Sequence, residues 1–474
     1  MRILLGIDLG TTKLCALALD ADSGAVLAVE TAANDTRLAV ADPDAVEQDA
    51  QAIGDRARGL LARLARHAAV TGGEIVGLGV TGQMHGVVIA DANGAPLTPL
   101  VNWQDQRGNR KAPNGRTYTE AVQALLGADL TRTGCRPATG YGAVTLYRLA
   151  QEGRLPHPGV ALTIQDWFVL QLTGVAATDP TNAGSWGIFD AQGGADWLPD
   201  MAARLGLPAR LLPPVLPTGT TAFPLRAGLA GTLGLPTGLP VAVALGDNQA
   251  SFLGSVPSLA DSLLFNLGTG GQISVATRRF ATVAPLETRP LLPGLWLLVG
   301  ASLCGGRAYH LLAQFFAAVG AEFFGTTAEL PAIYAAMNRL AERDGDDTLA
   351  VSPLFCGTRH APAARATIRG LGAENFSPEA FTHALVRGMV GELMDYYRAA
   401  ERAGAAAVTV VGAGNSVRRN AAVRREIARQ TGLPLLLPLR QEEAACGAAL
   451  AAGVATGLYA NWRAAGQRIG TTTT

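Results

Sequence analysis

The chain has 474 residues, nearly half of them hydrophobic and 16% charged, more than one comfortable core holds, which points to two domains or two packed lobes. Acids and bases balance at 38 each, so no strong field draws the protein to nucleic acid or to an anionic membrane surface. No segment reaches the roughly 20 apolar residues of a spanning helix, and the five scattered cysteines lack metal-ligand spacing and read as reduced thiols of a cytoplasmic protein.

Ile3 to Ile7 reads as a buried strand and Leu14 to Leu19 as its hairpin partner; the opening run is too short for a secretion signal and is broken by Asp8. Gly10-Thr11-Thr12-Lys13 forms the turn between them. Glycine lets the backbone turn tightly, and the hydroxyls and the ammonium add donors, so such a loop can cradle phosphate oxygens. It is not a P-loop, because neither Lys13 nor Lys111, the only lysines, closes the G-x-x-x-x-G-K-[ST] spacing. Asp8, at the strand end, is costly to bury alone, and a hydrated magnesium ion would give it a partner. Taken singly, each feature is equally an ordinary hairpin turn or a turn aspartate.

Asp42-Pro43 predicts the start of a helix running to about His67, and Ile75 to Val80 a strand. Gly77 to Gly82 fits G-x-G-x-x-G, but a dinucleotide site must open a helix there. The residues that follow, Gln83-Met84-His85-Gly86 and Val87-Val88-Ile89, read instead as a turn and a strand. The proline-rich stretch Leu211 to Pro240 reads as connecting loops between lobes. Val241 to Leu245 is another short strand, ending in Gly246-Asp247. Ser377-Pro378 caps a long helix that stops near Gly404, with a strand at Val408 to Val411. The arginines at 418, 419, 424 and 425 read as a solvated helix face, and the Gly-Thr-Thr-Thr-Thr end as frayed.

Residues 6–19, GIDLGTTKLCALAL, are echoed by residues 265–277, FNLGTGGQISVAT. Each is strand, Gly-Thr turn, strand, which suggests two related lobes facing each other. Asp8 and Asp247 both leave apolar strands within reach of a Gly-Thr loop. They form a candidate phosphoryl-transfer pair, one acid for the metal and the other for the attacking hydroxyl.

These stretches resemble the FGGY carbohydrate kinases, nearly throughout the chain and in the same order. The resemblance implies an α/β, two-lobed actin/hexokinase-like (ribonuclease H-like) fold with an ATP and sugar cleft between the lobes. It divides the chain into an N-terminal lobe (1–244), a C-terminal lobe (245–465) and a flexible tail (466–474). GIDLGTTK is similar to the family's first phosphate loop and Leu267 to Gly271 to its second. Gly246-Asp247-Asn248-Gln249-Ala250 is similar to the segment carrying the catalytic aspartate, and Val411-Gly412-Ala413-Gly414-Asn415-Ser416 to the adenosine-side loop. By that likeness Asp247 is the general base and a magnesium ligand, and Asp8 also holds Mg2+. Gly10, Thr11, Thr12, Lys13, Gly268 and Thr269 take the ATP phosphates, while Gly306, Gly412 and Ala413 line the nucleotide. Ala413 departs from the glycine of many relatives.

On the sugar side, Gln83-Met84-His85-Gly86 resembles the sugar-contacting turn of the xylulokinase-like branch. Trp103-Gln104-Asp105 resembles its Trp-Asn-Asp element, with Gln104 departing from asparagine. Gln83, Met84, His85, Trp103, Asp105 and Asp247 are the implied substrate contacts: an indole offers a flat apolar wall, and a carboxylate accepts from neighbouring hydroxyls. Thr139-Gly140-Tyr141-Gly142, Asn182 to Gly187, Gly300 to Leu303 and Cys356 to Pro362 are closer to sedoheptulokinases. They make sedoheptulose, phosphorylated at a terminal hydroxyl, the first expectation and xylulose the second. A homodimer is the oligomer allowed for. Two other classes stay open: an ATPase of the same fold working as a filament or chaperone motor, and a sugar-sensing regulator, although no helix-turn-helix or basic face precedes Ile3.

Overall fold

The computed structural model describes residues 1–473 except 195, 209, 344–347, 359, 360 and 362. The expected hairpin is present as β1 (Arg2–Leu9) and β2 (Lys13–Asp20), followed by β3 (Val26–Ala33). Helix α1 covers Ala50–Ala65 and β4 covers Glu74–Gly82. Three short strands complete the first sheet: β5 (Ala222–Pro224), β6 (Pro240–Ala242) and β7 (Leu245–Gly246). Its order is β3-β2-β1-β4-β6-β5, with β7 also beside β4.

Helix α2 (Asp247–Ser255) leads to the second sheet, which begins with β8 (Ser262–Leu267) and β9 (Gly271–Thr277). It continues with β10 (Glu287–Leu292) and β11 (Leu295–Ser302), then α3 (Gly306–Phe324), α4 (Pro378–Arg402) and β12 (Thr409–Ala413). Strand β13 (Leu435–Pro438), helix α5 (Glu443–Ala455) and β14 (Thr471–Thr473) end the chain. The order is β10-β11-β9-β8-β12-β13-β14. The sequence echo is thus a topological one. In each sheet an antiparallel hairpin, β1–β2 or β8–β9, lies parallel to the next strand inward, β4 or β12.

Strand alternation assigns the layers. Ile3, Leu5, Ile7 and Leu9 face α1, whose Ile53, Ala57, Leu60, Leu61 and Leu64 form one apolar stripe. Leu4 points the other way, onto Ala445 and Ala449 of α5. In the second sheet Leu263, Phe265 and Leu267 pack with α4, while Leu264 joins Ala448 of α5 and Phe252 of α2. Helices α2 and α5 therefore lie between the two sheets, with α1 and α4 outside. Contact there is backbone to backbone: a methyl on Gly79 would lie 1.7 Å from the Ala448 carbonyl oxygen, and one on Gly447 1.9 Å from that of Ala250. Gly79 of the G-x-G-x-x-G stretch thus serves close helix–sheet approach, and Gly77 to Gly82 lie within one strand, which agrees with rejecting the dinucleotide reading.

Several local expectations change. Asp42-Pro43 does not start α1. Asp49 caps it by accepting from the Ala52 N–H at 3.0 Å, while Asp42 and Asp44 pair with Arg110. The Leu211–Pro240 stretch supplies β5 and a helix, Ala227–Leu233, to the first lobe rather than loops between lobes. The tail is not frayed at Thr471–Thr473, which pair with Leu436–Pro438 along the sheet edge. Arg418 is not a solvated side chain: its guanidinium reaches the Pro438 and Arg440 carbonyls and Glu443 at 2.7–3.0 Å. Ser377 caps α4 as expected, accepting from Ala380 N–H at 3.2 Å. The five cysteines are free thiols, and among the described residues no helix is long and apolar enough to cross a membrane. Arg359, His360 and Pro362 lie outside the described residues.

Candidate active site

Asp8 lies on the face of β1 that carries Leu4 and Gly6, the face turned to α5. Pairing sets Asp8 opposite Thr81 of β4, and Thr81 opposite Leu245 of β7, so the ends of β1 and β7 stand two strand spacings apart, on the order of 10 Å. Thr81 Oγ1 donates to the Leu245 carbonyl at 2.8 Å, securing that alignment. Asp247 follows at once as the first residue of α2. Burial pushes the Asp247 carboxyl up to about 6, against the opposing pull of the Arg289 charge. Burial, then the charges of Asp247 and Glu442, push Asp8 up to about 8. Asp8 Oδ1 is buried with no hydrogen-bond partner.

The first phosphate loop is fastened by its carbonyls. Asn34 Nδ2 donates to Gly10 O at 2.8 Å, Gln48 Nε2 to Thr11 O at 3.3 Å, and Asn34 N–H to Thr12 O at 2.9 Å. What the loop offers an anion is therefore its donors. A methyl on Gly10 would lie 2.6 Å from Lys13 O, so the turn closes only with glycine there. Lys13 Nζ is held by both oxygens of Glu442 at 2.7 Å. Glu442 takes a left-handed φ of 64° just before α5, strain of a kind that collects at functional positions.

The second loop sits on the start of α3. Gly306 and Arg307 N–H groups donate to the Gly268 and Thr269 carbonyls at 2.8 and 3.1 Å. A methyl on Gly306 would meet Ser416 Oγ at 2.5 Å and Gly268 O at 2.6 Å, so the loop, α3 and the adenosine-side turn converge there. Gly412 and Ala413 lie within β12, and Ala413 packs in the core. The turn itself is made by Gly414 at φ 83°, where a methyl would lie 2.6 Å from Leu267 O. The backbone need for glycine is at 414, so alanine at 413 leaves the turn intact.

On the sugar side, His85 has φ 72° and is held from three directions. Its N–H donates to Ser185 Oγ at 3.1 Å, its Nδ1 donates to the Ser185 carbonyl at 2.7 Å, and its ring stacks on Tyr141 with centroids 4.0 Å apart. The carbonyl partner places a proton on Nδ1. Trp103, 38% exposed, donates Nε1–H to Thr11 Oγ1 at 3.0 Å, joining the candidate sugar wall to the candidate phosphate loop. Met84 packs against Gly246. Two expected contacts are placed otherwise. Gln83 is buried and spends its amide on Gln48 and Asn102. Asp105, 1% exposed, accepts from Arg107 and from Val46 N–H. Both brace the wall, since a carboxylate this buried needs its partners inside the fold.

Family comparison now decides what this arrangement belongs to. The FGGY family of carbohydrate kinases matches with its N-terminal domain over residues 3–254 and its C-terminal domain over residues 263–456. The chain belongs to the FGGY carbohydrate kinases. It is 30% identical to the sedoheptulokinase of Mus musculus and 31% identical to that of Homo sapiens, in each case over 94% of this chain and 96% of the relative. A glycerol kinase from Alkalilimnicola ehrlichii is 27% identical over 97% of this chain and 91% of its own. Among solved structures, the xylulose kinase from Rhodospirillum rubrum matches with a TM-score of 0.86 at 25% identity, over 100% of this chain and 94% of that one. This FGGY kinase is an ATP-dependent sugar kinase with the actin/hexokinase-like fold.

Hydrogen bonds that sequence reading did not anticipate hold the segment before Asp247 in place. Thr181 Oγ1, in the short helix Pro180–Gly184, accepts from Gly246 N–H at 2.8 Å, and Asn182 Nδ2 donates to Ala244 O at 3.2 Å. Ser185, just beyond, carries His85. One segment thus positions both the turn at His85 and the start of α2 at Asp247. Thr181→Val is expected to leave Gly246 N–H buried and unpaired, costing about 1–3 kcal/mol. It should lower kcat while the KM for ATP stays near normal, and Thr181→Ser should restore the rate; steady-state kinetics on the three proteins checks this. Arg289 was also missed, because its strand Glu287–Leu292 (ETRPLL) has no apolar pattern that would mark the arginine as buried.

Proposed function

We propose that this kinase transfers the γ-phosphoryl group of ATP to a terminal hydroxyl of sedoheptulose, with Asp247 taking the hydroxyl proton. The observation that carries the catalytic part is the placement of Asp247: part-buried at the start of α2, its carboxyl raised to about 6, two strand spacings across the sheet from the end of β1 that carries Asp8. A base of that kind is matched to neutral solution. The sugar assignment rests on the identity to the two sedoheptulokinases along 94% of the chain.

Asp8 and Asp247 would hold magnesium, because the partnerless Asp8 Oδ1 and the crowding of negative charge around it suit a cation. Bound there, the ion neutralises charge on the phosphates during transfer. The chain's own part is to present donors from Gly10, Thr11, Thr12 and Lys13 on one side and from Gly268 and Thr269 on the other. His85, Met84 and Trp103 wall the sugar. Lys13 has a third N–H to offer a phosphate beyond the two directed at Glu442. Closing the lobes aligns the hydroxyl with phosphorus and excludes water, which suppresses ATP hydrolysis.

A coupled ADP-release assay with MgATP over ketoses, aldoses and polyols tests the reading. The highest kcat/KM is expected with sedoheptulose. A clear preference for xylulose, which the likeness to the Rhodospirillum rubrum enzyme would favour, would displace that choice and leave the family role standing. Equal ADP release without sugar would favour an ATPase motor.

A further inference from the structure

A groove of about 590 Å³ that the catalytic scheme does not use lies between the β2–β3 turn and the segment leading into α5. Ser23, Gly24 and Val26 stand on one wall, and Leu439 to Glu442 with Arg468 on the other.

Two guanidiniums meet there without a carboxylate. Arg440, only 8% exposed, donates Nη2–H to the Arg468 carbonyl, so the two arginines are neighbours. Its Nη1 is buried with no hydrogen-bond partner. Arg468 donates Nη1–H to the Asp22 carbonyl at 2.6 Å, and its Nε is likewise buried and unpaired. Among the described residues neither arginine forms an ion pair, because each nearby acid is committed elsewhere. Glu442, the one acid of the lining, gives both oxygens to Lys13 at 2.7 Å. Glu443 pairs with Arg418 at 2.7 Å, Asp22 pairs with Arg2, and Asp20 accepts from Ser23 Oγ and Asp22 N–H. The Cys446 thiol beside Arg440 stays neutral, since burial pushes it up to about 12 against the pull of that charge.

An unpaired charge this deep is costly, and two side by side cost more. We infer that the groove binds a phosphate-type dianion, held between the Arg440 and Arg468 guanidiniums. Two uncompensated cations match the charge of about −1.5 to −2 that a phosphate monoester carries at neutral pH. Planar guanidinium forks also suit phosphate oxygens better than they suit a point anion. Arg440 Nη1 and Arg468 Nε are already stripped of water and partner, so a ligand oxygen restores bonds that the fold leaves unmade. The groove has room beyond the ion: Val26 and Leu439 offer apolar surface and Gln441 an amide to a small group esterified to the phosphate.

Calorimetry on the full-length enzyme tests this, with magnesium, a non-hydrolysable ATP analogue and sedoheptulose present to occupy the catalytic site. Inorganic phosphate and methyl phosphate are titrated separately, the first as the free ion and the second as an ester. One further equivalent of phosphate is expected to bind. Arg468→Gln should weaken it ~10-fold or more, the loss of a charged hydrogen-bonding group, while kcat stays near that of the unaltered enzyme. Arg440→Gln should weaken it at least as much. Where that buried substitution fails to fold, Arg468→Gln, on a half-buried side chain, decides the matter. Tighter binding of the ester identifies the ligand as a phosphorylated metabolite, and equal binding identifies it as the free ion. If neither probe binds beyond the catalytic site, or if Arg468→Gln binds both as tightly as the unaltered enzyme does, the groove is not an anion site.

Discussion

Asp247→Asn is expected to lower kcat by ~10²–10⁴ while the KM for ATP stays close to that of the unaltered enzyme. The amide matches the carboxylate in shape, so the start of α2, its packing on α5 and the Gly246–Thr181 hydrogen bond persist. What is lost is the part-buried carboxylate at the start of α2, which burial raises to about 6 against the lowering pull of Arg289. An amide takes no proton from a hydroxyl, and positioning and charge neutralisation by the two loops are what sustain the residual rate. Pre-steady-state phosphoryl transfer, measured alongside nucleotide binding by calorimetry, separates the two contributions. A variant with near-normal kcat would remove Asp247 from the mechanism.

Gly79→Ala is expected to cost about 3 kcal/mol or more in stability, although it adds a single methyl in the interior of a strand. The methyl would lie 1.7 Å from Ala448 O and 2.3 Å from the Ala448 carbonyl carbon, and both are helix backbone that no rotamer change can move. Helix α5 would have to lift off β4. The same helix closes on α2 through Gly447, so the strain passes to the segment that carries Asp247. Gly59→Ala is the control: it lies in α1, where the added methyl meets nothing nearer than Arg63 Nη1 at 3.8 Å. There the change should be neutral or stabilising by up to about 1 kcal/mol. Thermal unfolding of the two variants should move in opposite directions, and an unchanged Gly79→Ala would contradict the backbone contact between the layers.

The two hairpins that frame the candidate site were legible because each is local. Strand, acid, Gly-Thr turn and strand are contiguous in residues 6–19, and the second copy at 265–277 repeats the pattern, so two hairpins and their pairing followed directly. The position of Asp247 just after a short apolar run was legible for the same reason. What escaped depends on residues far apart in the chain. Asp42-Pro43 has the form of a helix start, but Arg110 claims Asp42 and Asp44 from more than sixty residues away, and Asp49 caps α1 instead.

Gln83 and Asp105 carry the right chemistry for a sugar hydroxyl, yet Gln48, Asn102, Arg107 and Val46 spend it inside the fold. The departure at Ala413 looked consequential because the adenosine-side loop is glycine-rich. Only the dihedral at Gly414 reveals which of those positions needs a left-handed residue. Arg418 read as solvated because nothing beside it in sequence is acidic, whereas Glu443 and two carbonyls meet it across the fold. Thr471–Thr473 lacks apolar alternation and becomes a strand only because β13 offers an open edge.

This kinase delivers phosphoryl groups from ATP to a sugar hydroxyl rather than to water. Phosphorus NMR of a reaction with MgATP and sedoheptulose tests it most directly. The account predicts one sugar phosphomonoester appearing in step with ADP, with little inorganic phosphate. Inorganic phosphate in step with ADP, and no phosphomonoester from sedoheptulose or from any other sugar, would contradict it.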